Sequence, residues 1–531
     1  MLAAAQFIMV LDTTVMNVAL SQIVEDLNTT VLGLQTAITI YTLVMAAFML
    51  TGARLGSKWG PRRTYAIGLL VYGAGSLTTA LAPNLATLLV GWSFVEGFGA
   101  VLVIPAIAAL TATTYSGRQR ALAYGVLGGV TGASAALGPL IGGWVATNFT
   151  WRLVFAGEAG IVLVLMLLLG AIKPTPGRSI QLDIPGAFLS AAGLGLAVFG
   201  VLNSSQWGWV APKVTAPFSP LGLSPVFWLI IAGAVLLWLF TRHEEKVAEA
   251  RGEPLLDLSL LKLPVLRAGL TTLLAQQFMT MGTFFMLPIY LQAGLGYDSL
   301  QTGLTILPLS LSFFGFALGG STLTGRFSPR RIVEVGLVGI LVGQVMILLF
   351  IAPDLRTAGF GAALGLVGAG LGLLASQIQN VNMSTVPPER GSEVGGLQGT
   401  AQNLGASLGT ALIGSVLIAS LVTSFQTQVL ADPLLAPVSS ELAAAAAATA
   451  DFVTIDQVRH AAEQAGLSAS QVEAVVTDYS QAQITALKVA FAGIAVFALL
   501  ALAYVHHLPG RSRNKKNKKL HFAGSRRPPQ L

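Results

Sequence analysis

Long apolar runs separated by short polar segments dominate the sequence. A helix needs about 20 apolar residues to cross roughly 30 Å of hydrocarbon. About fourteen runs reach or approach this length, with approximate bounds 3–24, 32–52, 64–82, 85–113, 121–146, 152–172, 184–203, 226–241, 268–292, 300–323, 332–352, 358–382, 394–424 and 484–507. The pattern predicts an all-α, polytopic membrane protein with about fourteen transmembrane helices.

Composition supports a membrane location and excludes several classes of soluble protein. Of 531 residues, 54% are hydrophobic and 10% charged, whereas soluble domains carry roughly 25% charged residues. The absence of cysteine excludes disulfides, cysteine-ligated zinc, iron–sulfur clusters and a thiol nucleophile. The five histidines form no metal-binding group. We therefore expect neither an enzyme nor a resident metal or cofactor.

The basic residues are distributed unevenly along the runs. If the N-terminus is cytoplasmic and every run crosses, only Arg152, Lys213, Arg356, Arg459 and Lys488 of the 30 Lys and Arg lie outside. Cytoplasmic loops carry the excess of Lys and Arg in membrane proteins, so this distribution predicts that both termini are cytoplasmic. The net charge of +7 then reflects the inner face, not a nucleic-acid partner.

An internal repeat divides the chain. Residues 52–69 and 320–337 are identical at seven of 18 positions with an offset of 268, and both are predicted to be cytoplasmic. Parallel repeats of six helices occur in one transporter architecture. We expect six-helix bundles at 1–173 and 268–508, an inserted helix pair with a charged linker at 174–267, an extracellular insert at about 425–483 and a basic cytoplasmic tail at 509–531 that contacts anionic lipid.

Three motifs give the chain a family resemblance. They are LDTTVMNVAL from Leu11, ARLGSKWGPRR from Ala53 and GASAALGPLIGG from Gly132. With these motifs the chain resembles the fourteen-helix drug:proton antiporter branch of the major facilitator superfamily. The third motif resembles one found in helix five of exporters rather than importers. The resemblance implies alternating-access export driven by the proton motive force.

Four positions depart from the pattern of that family. Ser57 stands where the loop motif has an acid, and Ser93 where helix four has an arginine. Glu96 and Glu158 replace amides of helices four and six. The departures add two acids and remove the usual buried base.

Asp12, Glu96 and Glu158 lie well inside predicted spans. An ionised carboxylate at this depth costs several kcal/mol, so it faces a cavity, finds a partner or takes up a proton. No Lys or Arg lies deep in the first six spans, which makes these acids candidates for proton coupling and for attracting a cationic substrate. The structural alternatives are a hydrogen bond between helices for Asp12, packing at the following glycines for Glu96, and contact with water or with Arg152 for Glu158.

The repeated basic loops are candidates for a conformational latch. Their residues are Lys58, Gly60, Arg62, Arg63, Arg326, Arg330 and Arg331. The spacing of Gly and Pro suggests a tight turn that packs one helix end on another. Alternatively, the basic residues only fix topology and contact lipid.

Small residues and polar intramembrane side chains complete the set of candidates. Gly138, Pro139, Gly142 and Gly143 in run five allow a kink and close helix packing. Candidates for lining a substrate cavity are Asn17, Gln35, Tyr41, Gln276, Gln277, Phe278, Met281 and Gln402. Hydrogen bonds between helices and apolar bulk facing lipid are the alternative for this second set.

These features favour a proton-coupled exporter of amphipathic small molecules, cationic drugs and antiseptics among them, which acts as a monomer in a bacterial inner membrane. An exporter of a lipid or of an endogenous secondary metabolite is the alternative on the same fold. An uptake permease fits the helix-five motif less well. The expected partners are the substrate, protons and membrane lipids.

Overall fold

A computed structural model of the chain describes residues 1–510 except 30, 175, 178, 214–215, 251–252, 324–325, 353–354, 356, 388–389 and 450–451. Most of the predicted basic tail therefore lies outside the described residues. The described part is helical apart from the connecting segments.

Six helical rods form the first part of the chain. They are α1 (Leu2–Val18, continued by Leu20–Asp26), α2 (Val31–Trp59), α3 (Pro61–Ala80), α4 (Gly97–Thr114), α5 (Gly117–Asn148) and α6 (Arg152–Leu167). The segments Leu85–Leu88 and Leu89–Glu96 lead directly into α4, and the second of them is a π-helix. Each of the first six predicted runs thus falls on a helix.

The rest of the chain adds a helix pair and a second set of six rods. The pair is α7 (Ile184–Leu202) and α8 (Pro225–Glu249). The second set is α9 (Pro264–Pro288), α10 (Ser299–Thr322), α11 (Pro329–Phe350), α12 (Thr357–Met383), α13 (Gly391–Ala431) and α16 (Ala469–Tyr504); α14 (Ser439–Thr449) and α15 (Ile455–Gln464) lie between the last two.

Ten described helical segments are long and apolar enough to cross a membrane. The other four predicted runs fall on α1, α3, α5 and α9. Compared with the ten segments, these helices are either shorter or richer in Gly, Thr and polar residues. Large apolar side chains such as Leu70, Leu167 and Leu349 are more than half exposed, as expected for a surface covered by lipid. The chain is a multi-pass membrane protein; fourteen crossings and cytoplasmic termini remain predictions.

The two sets of six helices pack in the same pattern. In the first set α1 packs on α5, α2 on α4, and α3 on α4 and α6. In the second set α9 packs on α13, α10 on α12, and α11 on α12 and α16. The helices paired by the sequence repeat therefore hold corresponding places.

Glycines on α5 and α13 bring the two sets together at one end. We call this the basic end, where α2 meets α3 at Gly60 and α10 leads to α11. A methyl group added to Gly128 would lie 2.9 Å from the Ala375 Cβ, and one added to Gly396 would lie 2.5 Å from the Ala53 Cβ. Only glycine permits such close backbone approach, so the sets are in tight contact at the basic end.

The inserted pair lies beside the junction of the two sets. Helix α7 packs on α8, on α2 of the first set and on α13 of the second. The Trp209 indole N–H, in the connection between α7 and α8, donates to the Ser415 hydroxyl on α13 at 3.1 Å. The pair thus contacts both sets.

The segment between α13 and α16 packs against the ends of these two long helices. Tyr479 donates its hydroxyl and Gln483 its amide to the Val453 carbonyl, at 3.3 and 2.7 Å. Helix α15 begins with a capping box between Thr454 and Gln457. The described residues of this segment lie at the end of the molecule opposite the basic end, which we call the insert end.

Candidate functional site

Asp12, Glu96 and Glu158 form one cluster inside the first set of helices. They come from α1, from the π-helical turn before α4 and from α6. One carboxylate oxygen of each lies within 4.8 Å of the others. The side chains are 0%, 0% and 1% exposed. We call these three residues the carboxylate cluster.

Aromatic side chains orient two members of the cluster. The Trp92 indole N–H donates to the Asp12 Oδ1 at 2.7 Å, and the Tyr72 hydroxyl donates to the Glu158 Oε2 at 3.2 Å. Tyr41 stacks on Trp92 with ring centroids 4.7 Å apart and planes 8° apart. These contacts hold Asp12 and Glu158 in fixed positions.

Local helix geometry carries Glu96 into the cluster. It ends the π-helical segment Leu89–Glu96, and such segments insert an extra residue per turn and occur often at functional sites. On α3, a methyl group on Gly75 would lie 2.6 Å from the Glu96 backbone nitrogen. On α4, one on Gly99 would lie 2.5 Å from the Tyr72 backbone nitrogen. The glycines let α3 and α4 touch, which places Glu96 beside α3.

The cluster cannot hold three negative charges. At 4.8 Å and an effective dielectric of about 20, two carboxylates repel by about 3.5 kcal/mol, or roughly 10 kcal/mol for three pairs. In the part of the chain that the structure describes, no Lys or Arg forms an ion pair with any of the three. Positive charge must therefore come from outside the protein, as protons or as another cation.

The structure decides between the alternatives for Glu158. Arg152 forms an ion pair with Asp26, and it also donates to the Ala82 carbonyl at 2.8 Å. The proposed pairing of Glu158 with Arg152 is wrong, because Arg152 ties the ends of α1, α3 and α6 together instead. Glu158 is fully buried and belongs to the carboxylate cluster.

The predicted latch residues lie where α2 meets α3 and where α10 leads to α11. Gly60 has φ +86° and is directly followed by Pro61, the first residue of α3, so a single residue makes this turn. Arg62 and Arg330 are half-buried, and Arg330 forms an ion pair with Glu334 on its own helix at 2.7 Å. Lys58, Arg63, Arg326 and Arg331 are exposed. Their latch role remains a prediction.

A nearby ion network that the sequence did not reveal joins the two sets of helices. Arg54 on α2 lies 3.8 Å from Glu393 on α13, and 3.6 Å from Glu253 in the linker. Arg390 contacts Glu393 at 2.9 Å and the linker residue Asp257 at 2.7 Å. We call these five residues the basic-end network. Two of them come from the linker after the inserted pair, and sequence spacing gives no signal for such contacts.

The helix-five motif packs against α1 close to the cluster. Methyl groups on Gly138 and Gly142 would lie 1.7 Å from the Thr14 Oγ1 and 2.8 Å from the Val15 Cγ2. Gly143 is half-buried on the same helix, and the side chain of Pro139 lies outside the described residues. On α13, Gly405 and Gly409 approach α9 in the same way. The motif therefore makes the contact between the first and fifth helices of its set.

The predicted cavity residues do not share one environment. Tyr41 adjoins the carboxylate cluster, Gln276 is buried, and Phe278 stacks on Phe497 with centroids 3.8 Å apart. Gln277, Met281 and Gln402 are half-buried, while the side chains of Asn17 and Gln35 lie outside the described residues. A cavity of about 190 Å³ lies instead at the insert end, lined by Tyr297, Leu355, Gln483 and their neighbours. Substrate contact by the predicted set remains a prediction.

The fold is that of a multi-pass membrane protein, with three buried acids inside its first set of helices. The family model of the Major Facilitator Superfamily matches residues 2–236 and 184–410. The chain belongs to this superfamily of transporters.

Curated relatives and solved structures agree with this assignment. The chain is 30% identical over 411 residues to the puromycin resistance protein pur8 of Streptomyces alboniger, covering 76% of this chain and 78% of that one. It is 28% identical to the multidrug resistance protein Stp of Mycobacterium tuberculosis, covering 75% and 71%. The human organic anion transporter MFSD10 has a similar fold, with a TM-score of 0.56, 13% identity and coverage of 95% and 96%.

Proposed function

We propose that this protein is a proton-coupled exporter of amphipathic small molecules, in which the carboxylate cluster carries the protons. The observation that supports the proposal most directly is the burial of three acids within 4.8 Å of each other, with no Lys or Arg among the described residues forming an ion pair with them. Uptake of protons removes most of the repulsion, and release restores it. Moving each charge across the membrane is driven by about 2.3 kcal/mol per 100 mV.

The relatives give the class of cargo. Resistance proteins for puromycin and for several drugs match three quarters of the chain, which supports export of drug-like compounds and is consistent with the drug:proton antiporter branch. On this proposal the basic end faces the cytoplasm of a bacterium, the protein acts as a monomer, and residues 1–173 and 268–508 move as two six-helix halves around the inserted pair at 174–267.

The test measures proton movement caused by the substrate. Inverted membrane vesicles receive an amphipathic cationic dye, and a pH-sensitive fluorophore reports proton release for the parent, Asp12→Asn and Glu96→Gln. We expect release in the parent and its loss in both variants, because each removes a carboxylate that takes part in proton exchange. Glu25→Gln is the matched control, since it removes an exposed acid outside the cluster.

Two results would contradict the proposal. Equal proton release from the parent and both cluster variants would remove the carboxylates from coupling. Transport of lipid that cationic dyes do not compete with would instead indicate a different cargo on the same fold.

A further inference from the structure

The carboxylate cluster contains more unsatisfied oxygen atoms than the acids alone account for. Six buried oxygens lack a hydrogen-bond partner among the described residues: Asp12 Oδ2, both Glu96 oxygens, Glu158 Oε1, Tyr41 OH and Ser76 Oγ. Buried polar atoms without partners are rare in folded proteins. A concentration of six at one place indicates a site for a ligand.

The two hydroxyl groups are evidence independent of the acids. Tyr41 lies on α2 beside Asp12, and Ser76 lies on α3 beside Glu96. They are 2% and 0% exposed, and each approaches the neighbouring carboxyl group without a well-formed hydrogen bond to it. Two helices that contribute no acid therefore direct a neutral oxygen toward the cluster.

The composition of this set matches one class of ligand. All six atoms are oxygens, which hard cations prefer over nitrogen and sulfur. The 4.8 Å limit on the separation of the carboxylate oxygens is about twice the 2.3–2.6 Å metal–oxygen distance of Ca²⁺, which takes six to eight oxygen ligands. Ligands on opposite sides of one ion are about this far apart and other pairs of ligands are closer, so the limit is compatible with one shared ion.

The charges favour a divalent ion. Three carboxylates carry −3 when ionised, and a divalent ion leaves −1, which one proton neutralises. The other oxygens of two of these acids already accept hydrogen bonds, Asp12 Oδ1 from Trp92 and Glu158 Oε2 from Tyr72. Such outer contacts fix the orientation of ligands in metal sites.

We propose that Asp12, Glu96 and Glu158, with Tyr41 and Ser76, form a binding site for one hard divalent cation of calcium or manganese size. The cation and protons compete for the same carboxylates. The proposal builds on the proposed function in assigning a second ligand to the site that carries the protons.

The experiment titrates the purified full-length chain with Mn²⁺ at pH 8 and follows free Mn²⁺ by electron paramagnetic resonance. We expect one Mn²⁺ per chain, displaced by Ca²⁺ and released on acidification. Glu96→Gln should abolish the binding. Ser76→Ala and Tyr41→Phe, which remove an oxygen ligand without changing charge, should weaken it by about 10-fold or more.

Two controls separate this site from surface acids. Glu25→Gln and Glu473→Gln each remove an exposed acid, the second in the segment near the insert end, and both should bind as the parent does. Size-exclusion chromatography checks the fold of each variant. If Glu96→Gln fails to fold, the Ser76→Ala affinity decides the outcome.

The proposal is wrong if the parent binds no Mn²⁺, or if the folded cluster variants bind it as the parent does. Dye-induced proton release in the presence of EDTA tests the proposed function separately. Proton release without Mn²⁺ binding overturns only the metal site, and Mn²⁺ binding without proton release overturns only the proton coupling.

Discussion

Glu393 is the residue of the basic-end network that joins the two halves most directly. It is 7% exposed and contacts Arg390 at 2.9 Å and Arg54 at 3.8 Å. We expect Glu393→Gln to favour separation of the halves at the basic end, since it leaves Arg54 with Glu253 as its remaining partner in the network.

The size of the effect follows from the contacts. Removing one partner of a fully buried ion pair costs about 3–5 kcal/mol. Arg390 is 26% exposed and keeps Asp257, so we expect a smaller cost of about 2 kcal/mol. Because each 1.4 kcal/mol is tenfold in an equilibrium constant, the ratio of closed to open molecules falls about 30-fold.

The absence of cysteine makes a direct distance measurement simple. Spin labels at Lys58→Cys and Arg331→Cys, both exposed at the basic end and on different halves, report the separation by pulsed electron resonance. We expect a longer distance to gain population in Glu393→Gln. Glu245→Gln removes an exposed ion pair within α8 and should leave the distribution unchanged. A Glu393→Gln distribution identical to the parent's would refute the role of the network.

Three further predictions concern the basic end. Gly396→Val places side-chain atoms within 2.5 Å of the Ala53 Cβ, so we expect transport to be lost, whereas Gly157→Val, with open space around it, should transport normally. Gly60 has φ +86°, so Gly60→Ala should lower the free energy of unfolding by about 1–3 kcal/mol. In thermal melting experiments this decrease should exceed the one caused by Gly157→Ala. Burial alone would raise the pKa of the Asp257 carboxyl, but hydrogen bonds from Ser259 and Arg390 outweigh it and hold the pKa below its ordinary value. Its stabilising contribution is therefore complete above the ordinary value near 3.9 and is lost as pH falls through the lower folded value; melting curves against pH should show a smaller acid-side decline for Asp257→Asn than for the parent.

Hydropathy and charge were sufficient to predict the helices. Each of the fourteen predicted runs falls on a helix, because a length of about 20 apolar residues is a property of one segment alone. The offset of 268 also paired helices that make corresponding contacts. These signals are local or repeat along the chain, so a single sequence contains them.

Contacts between distant segments were harder to predict. That Asp12, Glu96 and Glu158 lie inside spans was evident from the sequence, but their meeting in one cluster depends on which faces of α1, α4 and α6 turn toward each other. The π-helical turn before Glu96 changes that face by inserting one residue. The basic-end network depends on the linker acids Glu253 and Asp257. The sequence of a charged linker does not indicate which distant basic residues its acids contact.

The cluster lies within one half, whereas transport requires movement between halves, so a change of charge must act through packed helices. Asp12 is two residues before Thr14, which touches Gly138 on α5. Thirteen residues before Gly138 on α5, Gly125 touches Ser321 on α10 of the other half. Helix α5 thus contacts both the helix that carries Asp12 and the opposite half. A displacement of α1 on proton or cation binding is resisted at Gly138, where the Thr14 side chain lies against α5, and α5 in turn contacts the opposite half at Gly125.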